Sequence, residues 1–266
     1  MSIKGNKYGT HRVVSPKGVL TQAAQKIDSD MSEIYSNEIL CDVISLNIDS
    51  ASFAKDDWSV IAHFSKAIAA GEENTRYHIG DEKNILIGEV TYTFQILGFN
   101  HDDLSDDSGK AGITIGLKHL LENSFPMHSY SGIRVGWVGS HMRNEYLSDL
   151  LSSLPLELQS VIKEVEKETR NGDSIDTTNE KLWLFSLGEI ASTGIDGAQY
   201  EYYKTILDGD IATNRVKYLS NGMGSPANWW LRTCTGSVDY NAVNASGKIV
   251  HSQQQNRYAI CFGFCV

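Results

Sequence analysis

Residues Asn228–Val266 read NWWLRTCTGSVDYNAVNASGKIVHSQQQNRYAICFGFCV, and this stretch decides the fold. Two apolar runs frame it, Trp229–Cys234 and Tyr258–Val266, with a turn at Ala245-Ser246-Gly247 between them. Short aromatic and apolar runs bounded by turn residues spell strands. Successive strand side chains point to opposite faces, so Trp229 and Trp230 cannot be buried on one side. One is expected to pack inward and the other to cover a helical layer, with Arg232 stacked on it. The intervening Ser237–Tyr258 is rich in Ser, Asn, Asp, Tyr, His and Gln. It is either a solvated hairpin or a displayed surface. Its composition is one that binding surfaces favour: rigid aromatics supply contact area, and short amides and hydroxyls supply adaptable hydrogen bonds. The candidate ligand-binding set is therefore Trp230, Arg232, Asp239, Tyr240, Asn241, Asn244, His251, Gln253, Gln255, Asn256 and Tyr258.

Upstream, Thr91–Phe99 alternates as a strand, and Ile85–Val90 is a second β signal before it. Trp58–Ala70 has helical spacing, with Ile61, Phe64 and Ile68 on one side. Ser140 is placed to cap a helix running to about Leu151. After Pro155, the residues Leu158, Val161, Ile162 and Val165 read as the buried stripe of a second helix ended by Asn171-Gly172. Lys181–Ile190 returns to β, and Asn37–Val43 alternates as a strand near the start. Short strands at both ends around two central helices predict an α+β fold rather than alternating βαβ units. The text changes character near Ala54–Trp58, which divides the chain into an N-terminal β-rich appendage, 1–56, and a domain, 57–266.

Composition narrows the chemistry. The chain has 266 residues, 41% hydrophobic, with a formal net charge of −10. That is enough sequence for a sizeable core, and the acidic balance argues against a nucleic-acid partner. The opening residues lack the apolar core of a secretory leader, and no stretch approaches a membrane span, so no membrane insertion is expected and the default address is cytoplasmic, or a virion. The four cysteines, Cys41, Cys234, Cys261 and Cys265, do not form a disulfide framework and read as buried small hydrophobes. The sequence contains no GxGxxG, GxxxxGK[ST], GxSxG or HExxH. No resident cofactor is expected, with one candidate cation: Asp102, Asp103, Asp106 and Asp107, in NHDDLSDDSG, supply oxygens for Ca2+, although the spacing departs from the EF-hand loop.

Two resemblances follow from longer stretches. YTFQILGFNHDDLSDDSGKAGITIGLKHLL (92–121), HMRNEYL (141–147), KLWLFSLGEI, GAQYEYYKT, NRVKYLSNGMGSPANWWLR and the terminal FGFCV resemble the DUF6273 family of bacterial and prophage domains, over about residues 58–266. The resemblance implies a C-type-lectin-like fold, which also serves the variable proteins of diversity-generating retroelements and the formylglycine-generating enzymes. The family's Arg-Ser-Pro after the tryptophans reads Arg232-Thr233-Cys234 here. YGTHRVVSPKGVL (8–20) and NEILCDVISLNIDSASF (37–53) instead resemble the beginning of the L-erythro-3,5-diaminohexanoate dehydrogenase family of lysine fermentation. That resemblance ends at Phe53 and brings no dinucleotide fingerprint, so the chain reads as a fusion. The expectation is a non-enzymatic recognition module for a protein or glycan. The alternative is a dehydrogenase fragment inactive alone.

Overall fold

Strand and helix signals segregate along the chain, and the described residues form an α+β fold. The computed structural model describes residues 52–130, 132–191, 193–204, 213–236 and 238–266. The expected strand Asn37–Val43, Cys41, Ser237 and the appendage up to Ala51 lie outside these residues.

Helix α1 (Trp58–Ala69) buries Trp58, Ile61, Ser65 and Ile68, a stripe with helical spacing. Phe64 is half-buried beneath the Arg76 guanidinium, 4.6 Å from its ring centre. Strands β1 (Glu82–Ile87) and β2 (Val90–Phe99) form an antiparallel hairpin in which Ile87 faces Val90 across a turn at Gly88, whose φ is +61°. Strand β3 (Ile113–Leu117) is buried at every position, as a central strand covered on both faces must be. Gly112, just before it, passes so close to α1 that an added Cβ would lie 1.9 Å from the Ser65 carbonyl oxygen. Strand β4 (Ser124–Phe125) is short.

The helix expected from Ser140 is present. The Ser140 hydroxyl accepts from the Arg143 N–H at 3.1 Å, one π-helical turn follows at Met142–Tyr146, and α2 (Leu147–Ser153) continues it. The second expected helix is corrected. It stops after one turn, α3 (Leu156–Gln159), and Val165–Asn171 is instead strand β5, hairpinned to β6 (Ser174–Glu180). Burial alternates through β5: Val165, Lys167 and Thr169 point in, while Glu166 and Glu168 point out. The inward lysine disguises a period of two as an amphipathic helix. Asn171 closes the hairpin opposite Ser174, with Gly172 at φ +68°, which makes Asn-Gly a turn rather than a helix end.

Strand β7 (Trp183–Leu184) is followed by α4 (Leu187–Ile190), and α5 (Glu201–Lys204) comes next. Lys181–Ile190 is thus half strand, half helix. The C-terminal segment supplies β8 (Trp229–Cys234), β9 (Asp239–Val243), β10 (Ile249–Gln253), β11 (Tyr258–Ala259) and β12 (Phe262–Cys265). One sheet runs β1-β2-β3-β12-β7, and the other runs β10-β9-β8-β11-β4, with β5 and β6 attached through β8. The Arg232 N–H donates to the Phe185 carbonyl at 3.0 Å, tying β8 to the residue after β7 and hence one sheet to the other. Among the described residues no helix is long and apolar enough to cross a membrane.

Candidate recognition surface

The quoted C-terminal segment divides between core and surface. Trp229 and Trp230 are both fully buried, on opposite faces of β8, and their indole N–H groups donate to Arg215 O and Phe125 O at 3.1 and 2.8 Å. Tyr240 and Asn241 are also buried, so with Trp230 and Arg232 they leave the displayed set. β9 lies between β8 and β10 and is buried at four successive positions, so Tyr240 and Asn241, which point to opposite faces, are both covered. His251, Gln253, Gln255 and Asn256 are exposed, while Asp239, Asn244 and Tyr258 are half-buried. Asn244 orders the hairpin turn, its side-chain oxygen accepting from the N–H of Ser246 and of Lys248, both at 3.0 Å. Tyr258 stacks on Trp230 with ring centres 4.5 Å apart.

The exposed edge of this segment holds a second loop that the sequence did not single out. In Gln253-Gln254-Gln255, burial alternates and the central side chain is completely covered. Its side-chain amide donates to Tyr130 O at 2.7 Å and Ile133 O at 2.9 Å, and the Gln254 backbone carbonyl accepts from the His128 N–H. The fastened loop presents Tyr130, Ile133 and Val138, which are 64%, 58% and 44% exposed. Behind them the His128 and His141 rings lie 3.9 Å apart, and Ser129 Oγ is 3.0 Å from His141 Nδ1. Burial, then the neighbouring His141, pushes the His128 imidazole below its ordinary pKa. Arg134 fastens the loop's far side by donating to Asn171 Oδ1 at 2.9 Å. A separate groove of about 390 Å³ is walled by Tyr92, Phe125 and Tyr146, with Leu121, Leu150 and Ile260 as its apolar lining. The Arg257 guanidinium caps Phe125 at 5.8 Å.

Arg232 builds the interior. All five of its N–H donors are taken: Nε by Thr169 Oγ1, and the two terminal nitrogens by Leu184 O, Glu168 O and both oxygens of Glu189 at 2.6 and 2.9 Å. Glu189 stands at the third position of α4, where its carboxylate accepts from the Ser186 N–H and its own N–H donates to Ser186 Oγ. Burial raises the pKa of the Glu189 carboxyl, but the guanidinium and the Lys167 ammonium outweigh it and hold it down to about 2. Lys167 donates to Glu189 Oε1 at 2.9 Å, to Tyr200 OH at 2.9 Å and to Asp102 Oδ1. Burial pushes Lys167 down while Asp102 and Glu189 push it up, and the ammonium form gains.

The four loop aspartates do not converge. Asp102 points into this interior network and also accepts from Thr114 Oγ1 at 2.5 Å. Asp103 pairs with Lys110 at 2.9 Å, Asp106 caps the Ser108 N–H, and Asp107 occupies a turn at φ +58°. Among the described residues no three His, Cys, Asp or Glu side chains are grouped to hold a metal ion, so the calcium expectation finds no geometry there. Burial raises the thiol pKa of Cys234, Cys261 and Cys265, which disfavours the thiolates that cysteine redox chemistry needs.

These two sheets and their helices define an α+β domain with a tethered surface loop. The chain belongs to the DUF6273 family, a domain of unknown function, whose profile matches residues 114–265, more than half of the chain. A second profile, the L-erythro-3,5-diaminohexanoate dehydrogenase N-terminal domain, matches residues 11–63 and so runs past Phe53 into α1. Over 52 residues the chain is 71% identical to L-erythro-3,5-diaminohexanoate dehydrogenase of Fusobacterium nucleatum, covering 20% of this chain and 15% of the relative. Over 68 residues it is 57% identical to the enzyme of that name from Acetoanaerobium sticklandii, covering 26% of this chain and 19% of the relative. The chain therefore spans less than a fifth of either curated relative. No solved structure matches it.

Proposed function

We propose that the DUF6273 domain is a non-enzymatic recognition module with a C-type-lectin-like architecture, and that it binds a protein or glycan through Tyr130 and residues 132–138 together with the exposed turn at residues 253–257. One observation carries this reading: a buried glutamine within a run of polar residues fastens the backbone at Tyr130 and Ile133, whose side chains stand out in solvent. A soluble surface gains nothing from fastening apolar side chains outward, whereas a binding surface gains preorganisation. Aromatic anchors ringed by amides and hydroxyls fit both protein and glycan partners, and the prophage and retroelement associations of the resemblance agree with such a role. A glycan and surface-protein array tests it. Wild type is expected to give discrete hits that Tyr130→Ala/Ile133→Ala abolishes; equal signals from the two proteins would refute the assignment.

A second reading rests on the 71% identity of the first residues to a dehydrogenase. It makes the chain a fusion whose N-terminal segment serves diaminohexanoate chemistry only beside a nucleotide-binding partner. Nicotinamide reduction by the full chain with 3,5-diaminohexanoate tests it; turnover without any partner would displace the recognition reading.

A further inference from the structure

The interior network holds a lysine amine against a carboxylate in a dry site, with a second carboxylate alongside. Independently of the recognition reading, we propose that Lys167 and Asp102 become joined by an intramolecular amide bond, with Glu189 moving the proton. Lys167 Nζ touches Asp102 Oδ1, and both side chains are 4% exposed. Glu189 Oε1 stands 2.9 Å from the same nitrogen, with its side chain 2% exposed. Tyr200 O–H lies 3.2 and 3.4 Å from the two Asp102 oxygens, and the Trp183 ring covers Nζ from 4.0 Å. Asp102 follows β2, Lys167 lies on β5 and Glu189 on α4, so the three groups meet only once the chain has folded.

The step balances without an oxidant or cofactor. The first step is uphill, since the site favours the ion pair: the ammonium passes a proton to the carboxylate oxygen it touches, giving a neutral amine and a neutral acid. The Nζ lone pair adds to Asp102 Cγ, while the Tyr200 hydroxyl donates to the oxygen that gains charge. Glu189 Oε1 takes a proton from Nζ and returns it to the hydroxyl; the C–O bond breaks, and the groups leave as amide plus water. Fixed contact supplies the effective concentration such a condensation needs, on the order of 10⁵ M or more. Arg232 keeps its two bonds to Glu189 throughout, so the remaining buried charges stay paired.

Mass spectrometry of the intact, denatured full chain decides the matter. The wild type is expected to fall short of its sequence mass by one water, and proteolysis is expected to yield one branched peptide joining the segments around Asp102 and Lys167. Lys167→Arg and Glu189→Gln are each expected to restore the full sequence mass. Folded wild type at its full mass would overturn the proposal and leave an ion pair only. So would a water loss that maps to other residues or survives in Lys167→Arg. The wild-type measurement stands even if both variants fail to fold.

Discussion

Arg232 was expected on the surface from its place beside paired tryptophans, and its burial is the clearest statement of how this domain is built. A guanidinium is tolerated inside only when every donor is met and its charge is answered, and here five donors and Glu189 meet that demand. Arg232→Met leaves Glu189 facing Lys167 alone and is expected to cost about 3–5 kcal/mol in chemical denaturation. Arg232→Lys is expected to rescue little of it, because an ammonium cannot reproduce the paired bonds to one carboxylate. Glu189 also sets an acid limit. Its folded pKa of about 2 lies below the ordinary 4.5, so its contribution is complete above 4.5 and is lost as pH falls toward 2. Wild type should lose stability across that window in denaturation series run at stepped pH, and Glu189→Gln should show a weaker dependence. At this scale the exposed His251, Gln253, Gln255 and Asn256 were legible from polarity, whereas Gln254, identical in kind to its neighbours, was not. Only its position in the turn after β10, where its amide meets Tyr130 O and Ile133 O, separates it from them.

Among elements, those whose side chains sort by polarity could be read directly: α1, β2, β8 and the Ser140-capped helix. Those that bury charge could not. In VEKET, the β5 sequence conceals its inward face because Lys167 answers Asp102 and Glu189, partners 65 and 22 residues away. Hydropathy sees an isolated lysine and assigns it to solvent. The same blindness turned Asn171-Gly172 from a hairpin turn into a helix terminus. The contact of α1 with the strand entering β3 was likewise hidden, since it depends on Gly112 lacking a side chain. Gly112→Ala must push α1 away from the sheet, and an overpacking cost of about 1–3 kcal/mol is expected in thermal or denaturant unfolding. Gln254→Ala acts differently. It is expected to leave the melting temperature nearly unchanged while raising amide hydrogen exchange at residues 130, 132 and 133, because it removes two bonds that hold an exposed loop rather than a core.

For the whole molecule, two family matches fall on separate parts of the sequence, one at residues 11–63 and one at 114–265, and the proposed recognition surface belongs wholly to the second. The proposed surface combines segments far apart in sequence: the loop before α2 and the turn between β10 and β11. Sequence reading found the turn because polar and aromatic residues crowd there. It missed the loop because single exposed apolar residues look ordinary until they share a face. If the loop supplies the anchor, truncating Tyr130 should weaken binding of a partner found on the array by about 2 kcal/mol or more, read by titration calorimetry, while Leu156→Ala, a truncation of an exposed side chain on α3, should not. Hydrogen exchange of the full chain with and without that partner is the most direct measurement. Protection is expected to rise at residues 128–130, 132–138 and 253–258 and to stay unchanged along α1. Protection confined to α1 or to β1–β2, with the tethered loop exchanging as before, would contradict the account.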